Sequence, residues 1–309
     1  MNYPTPIKLQ TVFAALTLAS GATAATFTNS VSADAFVRAD AATLNYGGAG
    51  GLSVSGSAAT NASGIANGVF DTFIRFNTAG MVAHFDSLFG PANWEVSGAA
   101  LRVTEQGASN NALFNRGVGA FEILWIANDG WMEGTGNPNA PTTTGITYND
   151  VASLLNPGAD ASLGTSTNAG MDGSLSFPLT LPPAFVDDLR AGGEVGLYLT
   201  AVDAGVGFTF TSRNFGTASA RPYLEVSALP RPGITSIALS GADVVLAATN
   251  GAAGATYHVL SSTNVALPLA QWLPVATNVL DSEGAFSVTV TNAASADASA
   301  LKFFILRTH

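Results

Sequence analysis

Short apolar runs rich in β-branched and aromatic residues alternate with stretches of Gly, Asn, Ser and Ala, and this pattern predicts many short β-strands. In the first part of the chain the predicted strands are residues 35–37, 72–76, 99–103, 120–126, 195–200, 207–211 and 223–226. Helical patterns are short and occur only at residues 81–89, 148–155 and 183–190. Many strands with few helices are typical of a mainly β protein, and we expect a jelly-roll β-sandwich.

A second domain is predicted after residues 229–233, where Leu-Pro-Arg-Pro-Gly should interrupt any hydrogen-bonded ladder. Six further strand-like runs follow, at residues 234–239, 244–248, 256–261, 272–277, 285–291 and 303–307. Their number and spacing predict a small immunoglobulin- or fibronectin-like β-sandwich. We therefore expect domains at residues 25–229 and 230–309, with a long surface loop at residues 47–68.

The N-terminus has the pattern of a secretory signal peptide, with Lys8, an apolar run at residues 12–20, and the small residues Ala22 and Ala24. We expect residues 1–24 to be removed and the mature protein to be secreted. Later apolar runs are shorter than the roughly 20 residues needed to cross a bilayer, so no membrane insertion is expected after cleavage.

The net negative charge of the chain limits the kinds of partner that it can bind. The net charge is −10, and it becomes −11 once Lys8 leaves with the signal peptide. Such a chain should repel phosphate backbones, which argues against nucleic-acid binding. Because there is no cysteine, disulfides, thiol nucleophiles and cysteine-bound zinc are absent.

Several short phrases occur in a particular order along the first domain. They are Asp34-Ala35-Phe36-Val37-Arg38, Asn45-Tyr46-Gly47, Leu52-Ser53-Val54, Asp71-Thr72-Phe73-Ile74-Arg75-Phe76, Gly98-Ala99-Ala100-Leu101-Arg102-Val103, Gly130-Trp131-Met132-Glu133-Gly134-Thr135, Gly145-Ile146-Thr147-Tyr148-Asn149, Ser212-Arg213-Asn214 and Arg221-Pro222-Tyr223-Leu224-Glu225-Val226. As an ordered series they resemble the DNRLRE domain family, also classed as carbohydrate-binding module family 96, over about residues 27–229. Two positions depart from the family pattern: Tyr148 stands where Trp is usual, and Asn214 where Glu is common.

The resemblance implies a jelly-roll β-sandwich that binds polysaccharide, of a kind found attached to lyases and to large cell-surface proteins. Residues 230–309, with Tyr257-His258-Val259-Leu260 and Gln271-Trp272, resemble immunoglobulin-like C-terminal modules of secreted bacterial proteins. Once both modules are assigned, no residues remain for a catalytic domain.

Catalytic motifs are weak. The three histidines are far apart in sequence, and no serine-hydrolase elbow or phosphate-binding loop is present. Asp129 and Glu133 could form a glycosidase pair beside Trp131, whose ring could stack on a sugar. We favour a structural interpretation, in which Trp131 is core and Glu133 pairs with Arg102 or Arg213.

The first domain could also bind calcium, since jelly-roll loops can gather oxygen ligands from distant parts of a chain. The candidate ligands for a structural Ca²⁺ are carboxylates beside predicted strand ends, namely Asp34, Asp71 and Asp203. The alternative is that each is a turn or capping residue.

Glycan contacts would come from aromatic and amide side chains in loops, and the candidates are Tyr46, Asn110, Asn111 and Tyr148. Residues 26–226 hold seven arginines and no lysine. We expect ion pairing for Arg38, Arg75, Arg102 and Arg221, and free charges at Arg116 and Arg190. So few free cations predict a neutral glycan, or an acidic one reached only through calcium, although the resembled family includes binders of acidic algal polysaccharide.

Three functions follow in order of preference. The first is a secreted, non-catalytic protein that binds polysaccharide or a cell-surface glycan, or acts in adhesion. The second is a structural component of an extracellular matrix or surface layer. The third, a polysaccharide lyase or glycosidase, would need clustered acid and base groups, whereas the carboxylates here are scattered along the sequence.

Overall fold

A computed structural model describes residues 23–61, 63–105, 117–170, 173–294 and 301–308. They form two compact units, one spanning Ala24–Arg231 and the other beginning at Pro232. Both units are built mainly from antiparallel strands, which confirms the prediction of a mainly β protein.

The described residues of the first unit form ten strands and three α-helices. The strands are β1 (Ala25–Arg38), β2 (Gly51–Ser55), β3 (Phe70–Asn77), β4 (Trp94–Glu105), β5 (Gly119–Ile126), β6 (Ala161–Asn168), β7 (Gly173–Leu179), β8 (Glu194–Ala201), β9 (Gly207–Thr211) and β10 (Tyr223–Pro230). The helices are α1 (Ala79–Phe89), α2 (Val151–Leu154) and α3 (Pro183–Ala191). Within the described ranges, no helix is long and apolar enough to cross a membrane.

The ten strands are hydrogen-bonded in the order β1-β10-β4-β9-β2-β3-β8-β5-β6, with β7 also paired to β4. Strand β1 changes partner along its length, because Ala25 to Ser30 pair with β10 whereas Val31 to Arg38 pair with β3. A register shift between Val31 and Ala33 marks this change. The second pairing closes six strands, β1, β10, β4, β9, β2 and β3, into a ring.

Successive side chains in a strand point to opposite sides, and in the central strands both of these sides are buried. On one side of β1 and β3, Phe36 and Phe70 pack with Tyr46. On the other side, Ala35 and Phe73 pack in a cluster completed by Ala33, Val37, Ile126, Trp131, Ile146 and Tyr198. This second cluster supports the candidate site described below.

The second unit has two three-stranded sheets. The strands are β11 (Gly233–Ser240), β12 (Asp243–Thr249), β13 (Thr256–Ser262), β14 (Leu273–Val279), β15 (Phe286–Val290) and β16 (Phe303–Thr308). Their sheet orders are β11-β12-β15 and β14-β13-β16. Between them lies a separate core that includes Leu246, Val259 and Leu306.

The linker predicted at residues 229–233 is shorter than expected. Strand β10 continues through Pro230, which pairs with Trp94, and the Arg231 amide donates to the Asn93 carbonyl at 2.8 Å. A proline at the very end of a strand is tolerated because it removes only one donor from the ladder. Only Arg231 and Pro232 therefore separate β10 from β11.

The prediction of a surface loop at residues 47–68 is wrong in part, because this range contains the buried strand β2. Leu52 and Val54 are buried where β2 pairs with β9. Strands β6 and β7 were not predicted, since they are rich in Ser, Thr and Gly. The predicted helix at 148–155 consists of a 3₁₀ turn at Tyr148–Asp150 followed by the single α-helical turn of α2.

Candidate functional site

The candidate site is built on residues 127–147, which we call the Trp131 segment. It connects β5 to the 3₁₀ turn at Tyr148–Asp150 and forms neither helix nor strand. Backbone hydrogen bonds satisfy some of its polar groups, as in the bond from the Ile146 amide to the Met132 carbonyl at 2.7 Å. Other backbone groups of the segment are bonded by side chains from elsewhere in the unit. Asn45, Arg75 and Arg213 provide these contacts.

Asn45 is fully buried and uses all of its hydrogen-bonding capacity on backbone groups. Its Nδ2 donates to the carbonyls of Glu133 at 2.7 Å and Ile146 at 2.8 Å. Its Oδ1 accepts from the amides of Gly47 at 3.2 Å and Gly136 at 3.1 Å. One side chain therefore joins the turn after Asn45 to two parts of the Trp131 segment, residues 133–136 and residue 146.

Two glycines allow this close approach of backbones. A Cβ at Gly47 would lie 1.9 Å from the Glu133 carbonyl oxygen. Gly134 has a φ of +78°, which other residues rarely adopt, and a Cβ there would lie 2.2 Å from Asn45 Oδ1. A side chain at either position would force the two backbones apart.

Glu133 is paired with Arg213, one of the two arginines predicted as its partner. Arg213 donates to both carboxylate oxygens, with Nε 3.0 Å from Oε1 and Nη2 bonded to Oε2. Oε1 also accepts from the Asp34 amide at 3.1 Å. The other predicted partner, Arg102, pairs with Glu225 at 2.8 Å.

Asp34 lies beneath this pair and is fully buried. Its Oδ2 accepts from the Arg213 amide at 2.6 Å, whereas its Oδ1 has no hydrogen-bond partner among the residues that the structure describes. Burial raises the pKa of Asp34 to about 7, against the lowering effect of the Arg213 amide. The site therefore contains a carboxyl group that titrates near neutral pH.

Trp131 is 5% exposed and packs in the core. The Arg75 guanidinium lies 4.9 Å from its ring centroid, and the Phe73 ring lies 5.8 Å away. Arg75 Nη1 also donates to the carbonyls of Asp129 at 2.6 Å and Trp131 at 3.0 Å. The indole Nε1 is buried and has no hydrogen-bond partner.

Asp129 and Glu133, the pair considered for glycosidase chemistry, are held by different arginines. Burial raises the pKa of Asp129, and the nearby Arg75 lowers it. Glu133 is committed to Arg213 and to the Asp34 amide. The Glu133 carboxylate is therefore paired, whereas Arg75 holds Asp129 through its backbone carbonyl.

Beside Trp131 the surface opens into a pocket of about 230 Å³, which we call the Trp131 pocket. Its lining includes Trp131, Met132, Ile146, Asp150, Ser153 and Leu154. Met132 is 60% exposed. Asp150 Oδ2 accepts from the Thr147 amide at 2.8 Å and from its hydroxyl at 2.7 Å, and this capping box fixes the carboxylate.

The predicted glycan contacts are not assembled as expected. Tyr46 is 3% exposed and stacks on Phe36 at 4.7 Å, which leaves no ring face for a ligand. Tyr148 is half-buried and packs against the cluster that contains Trp131. Asn110 and Asn111 lie outside the described residues.

The candidate calcium ligands do not form a cation site. Asp34 is bonded to the Arg213 amide, and exposed Asp203 accepts from the Ala120 amide at 2.7 Å. Asp71 is 3% exposed, and burial raises its pKa. Within the described part of the chain, no three His, Cys, Asp or Glu side chains form a group that could hold a metal ion. The donor set proposed from the sequence therefore does not fit Ca²⁺.

Most of the arginines expected to be paired are paired. Arg38 contacts Asp40 at 2.6 Å and Arg75 contacts Glu194 at 3.3 Å, in addition to the Arg102 pair. Arg221 instead donates to the Phe215 carbonyl at 2.9 Å. Arg190, predicted to be free, lies 5.4 Å from the Trp94 ring centroid, and Arg116 is outside the described residues.

Sequence reasoning missed the role of Asn45 and most of the pocket lining. The Asn45-Tyr46-Gly47 phrase indicated only a turn. The spacing Thr147-x-x-Asp150 is a capping-box pattern and could have identified the fixed carboxylate. Met132 and Ser153 carried no recognisable signal.

No family model matches the chain, and no curated protein matches it. Among solved structures, the β-glucuronidase of Ruminococcus gnavus is 9% identical with a TM-score of 0.19, covering 76% of this chain and 31% of that one. The β-glucuronidase of Lactobacillus rhamnosus is 12% identical with a TM-score of 0.18, covering 77% and 35%. This chain spans about a third of the length of these enzymes. TM-scores this low assign neither a fold nor an activity.

The close approach at Gly47 is tested by replacing it with alanine. Gly47→Ala should lower the free energy of unfolding by roughly 1–3 kcal/mol or more, because overpacking forces the Glu133 backbone away. Gly50→Ala is the matched control, since a Cβ there has nothing within 4 Å. Urea unfolding measures both variants, and equal stabilities would contradict the proposed contact.

The raised pKa of Asp34 predicts a pH-dependent difference in stability. In the folded protein Asp34 keeps its proton up to about pH 7, whereas in the unfolded chain it loses the proton near 3.8. Between these values the folded state binds more protons, so raising the pH destabilises it. Compared with Asp34→Asn, the wild type should lose stability between about pH 4 and pH 7. Urea unfolding at several pH values gives this difference, and a difference independent of pH would contradict the assignment.

Proposed function

We propose that the chain is a secreted, non-catalytic polysaccharide-binding or adhesion protein. Its first unit would be a jelly-roll glycan-binding module that contacts its ligand at the Trp131 pocket. Its second unit would be an immunoglobulin-like accessory module. Export would depend on the signal-peptide pattern of residues 1–24.

The observation that carries this proposal is the mixed chemistry of the Trp131 pocket. Met132 and Leu154 offer apolar surface suited to the C–H face of a sugar ring. Asp150 Oδ1 has no hydrogen-bond partner among the described residues and can accept from a sugar hydroxyl. An apolar wall with a few fixed polar groups is the usual composition of a small-ligand site.

A neutral glycan suits this pocket better than an acidic one. The described part of its lining contains a carboxylate and no arginine or lysine. The nearest arginines of the site, Arg75 and Arg213, are engaged with carbonyls and Glu133. An acidic sugar would meet Asp150 without a compensating cation.

Support for a non-catalytic role comes from the hydrogen bonds that the carboxylates near the pocket already make. General acid–base hydrolysis needs two carboxyl groups free to face one bond. Glu133 is instead bonded through both of its oxygens to Arg213, and Asp150 is fixed as a helix cap. These arrangements favour binding without cleavage.

A structural role in an extracellular layer is the second candidate, and strand β11 favours it. This strand carries no charge, and Ile237 and Leu239 are 58% and 73% exposed. It is the edge of its sheet, and an uncharged apolar edge can pair with a strand of another molecule. Concentration-dependent self-association in light scattering, without glycan binding, would favour this alternative.

The proposed function is tested by binding to immobilised neutral and uronate-containing polysaccharides, in calcium and in EDTA. We expect the wild type to bind a neutral polysaccharide equally in both buffers. Met132→Ala should weaken binding roughly fivefold, because burial of an exposed side chain contributes about 1 kcal/mol. Ile65→Ala is the matched control, since Ile65 is 64% exposed and does not line the pocket.

Three results would contradict the proposal. Binding to none of the polysaccharides would exclude the polysaccharide ligand. Equal binding by Met132→Ala and wild type would place the site elsewhere. Release of soluble oligosaccharides from the immobilised material would show that the protein is an enzyme.

A further inference from the structure

The second unit has a pocket of about 430 Å³ on one sheet face. Its lining includes His258, Leu260, Leu269, Trp272, Pro274 and Arg307. Neighbouring strands place His258 directly opposite Arg307 on β16 and Thr277 on β14. Directly opposite residues point to the same face, whereas the adjacent Val259 and Leu306 point into the core. The pocket therefore lies on the face of this sheet away from the core.

The segment before β14 forms one wall of the pocket and is fixed by local hydrogen bonds. Trp272 Nε1 donates to the Leu267 carbonyl at 3.0 Å, and the Trp272 amide donates to the Leu269 carbonyl at 3.1 Å. The indole is 8% exposed, and Leu269 is 44% exposed. The wall is thus held in place without a ligand, and it presents an apolar surface.

The charge of the pocket is unusual for this chain. Among the residues that the structure describes, its lining contains no Asp or Glu. Arg307 is exposed and forms no ion pair or hydrogen bond through its side chain with any described residue. In the first unit, by contrast, Arg38, Arg102 and Arg213 all pair with acids. Among the described residues, the Arg307 guanidinium beside this apolar pocket thus has no acidic partner, although the chain has a net charge of −10.

We propose that this pocket, the Arg307 pocket, binds a small organic carboxylate that carries an aromatic ring. A guanidinium presents parallel N–H donors that match the two oxygens of a carboxylate. Leu260, Leu269 and Pro274 would contact the ring, and the pocket volume falls within the range usual for small-ligand sites. The inference does not depend on glycan binding, because the Trp131 pocket belongs to the other unit.

The test measures binding to the whole chain by isothermal titration. One probe pair is 2-naphthoate and its neutral amide, and the other is N-acetyl-phenylalanine and its amide. We expect each protein–acid complex to be at least roughly tenfold tighter than the amide complex, since hydrogen bonds between charged groups are the stronger ones. Whichever of the two acids binds more tightly shows whether a free aromatic acid or the carboxyl end of a peptide is the better ligand.

Variants separate the two halves of the pocket. Arg307→Gln should remove the preference for acid over amide while leaving amide binding unchanged. Leu269→Ser, at a partly exposed position, should weaken acid and amide together. Arg231→Gln removes the same charge outside the pocket and should behave as wild type. Equal binding of acid and amide to the wild type, or an unchanged acid preference in Arg307→Gln, would overturn the proposal.

Discussion

The buried amide of Asn45 is the interaction on which the candidate site depends. Its four hydrogen bonds all go to backbone groups, at Gly47, Glu133, Gly136 and Ile146. A buried carbonyl or amide without a partner costs about 1–3 kcal/mol, so the irregular segment can be stable only if these groups are satisfied. The glycines at 47 and 134 are required because the backbones must approach within reach of this one side chain.

Two arginines provide further contacts that hold the Trp131 segment. Arg213 joins Glu133 through its side chain and Asp34 through its backbone, while Arg75 holds the carbonyls of Asp129 and Trp131. Ionic groups used in this way are not available for catalysis or for binding an acidic ligand. The contacts of Arg213 and Arg75 thus hold the Trp131 segment in place and also occupy both guanidinium groups. Both consequences are consistent with a fixed pocket for a neutral ligand.

The sequence predicted β3 and β8, where most positions are buried and aromatic or aliphatic side chains are frequent. It failed for β6 and β7, which have alternating or exposed positions and need few apolar residues. Arg213 was one of two arginines predicted to pair with Glu133, but the contacts of Asn45 with Glu133 and of Asp34 with Arg213 were not predicted. Asn45 and Glu133 are 88 residues apart, and Asp34 and Arg213 are 179 apart. Local patterns do not specify contacts at such separations, and for the same reason the burial of Tyr46 was missed.

Hydrogen exchange of an Asn45→Asp variant tests the role of this amide most directly. The substitution replaces the donating Nδ2 with an oxygen, which would face the carbonyls of Glu133 and Ile146. Backbone amides of residues 130–147 should exchange at least roughly tenfold faster than in the wild type, as expected for loss of more than about 1.4 kcal/mol of local stability. Asn149→Asp, at an exposed position, should leave their exchange unchanged. Unchanged exchange of residues 130–147 in Asn45→Asp would show that the segment is held by other contacts.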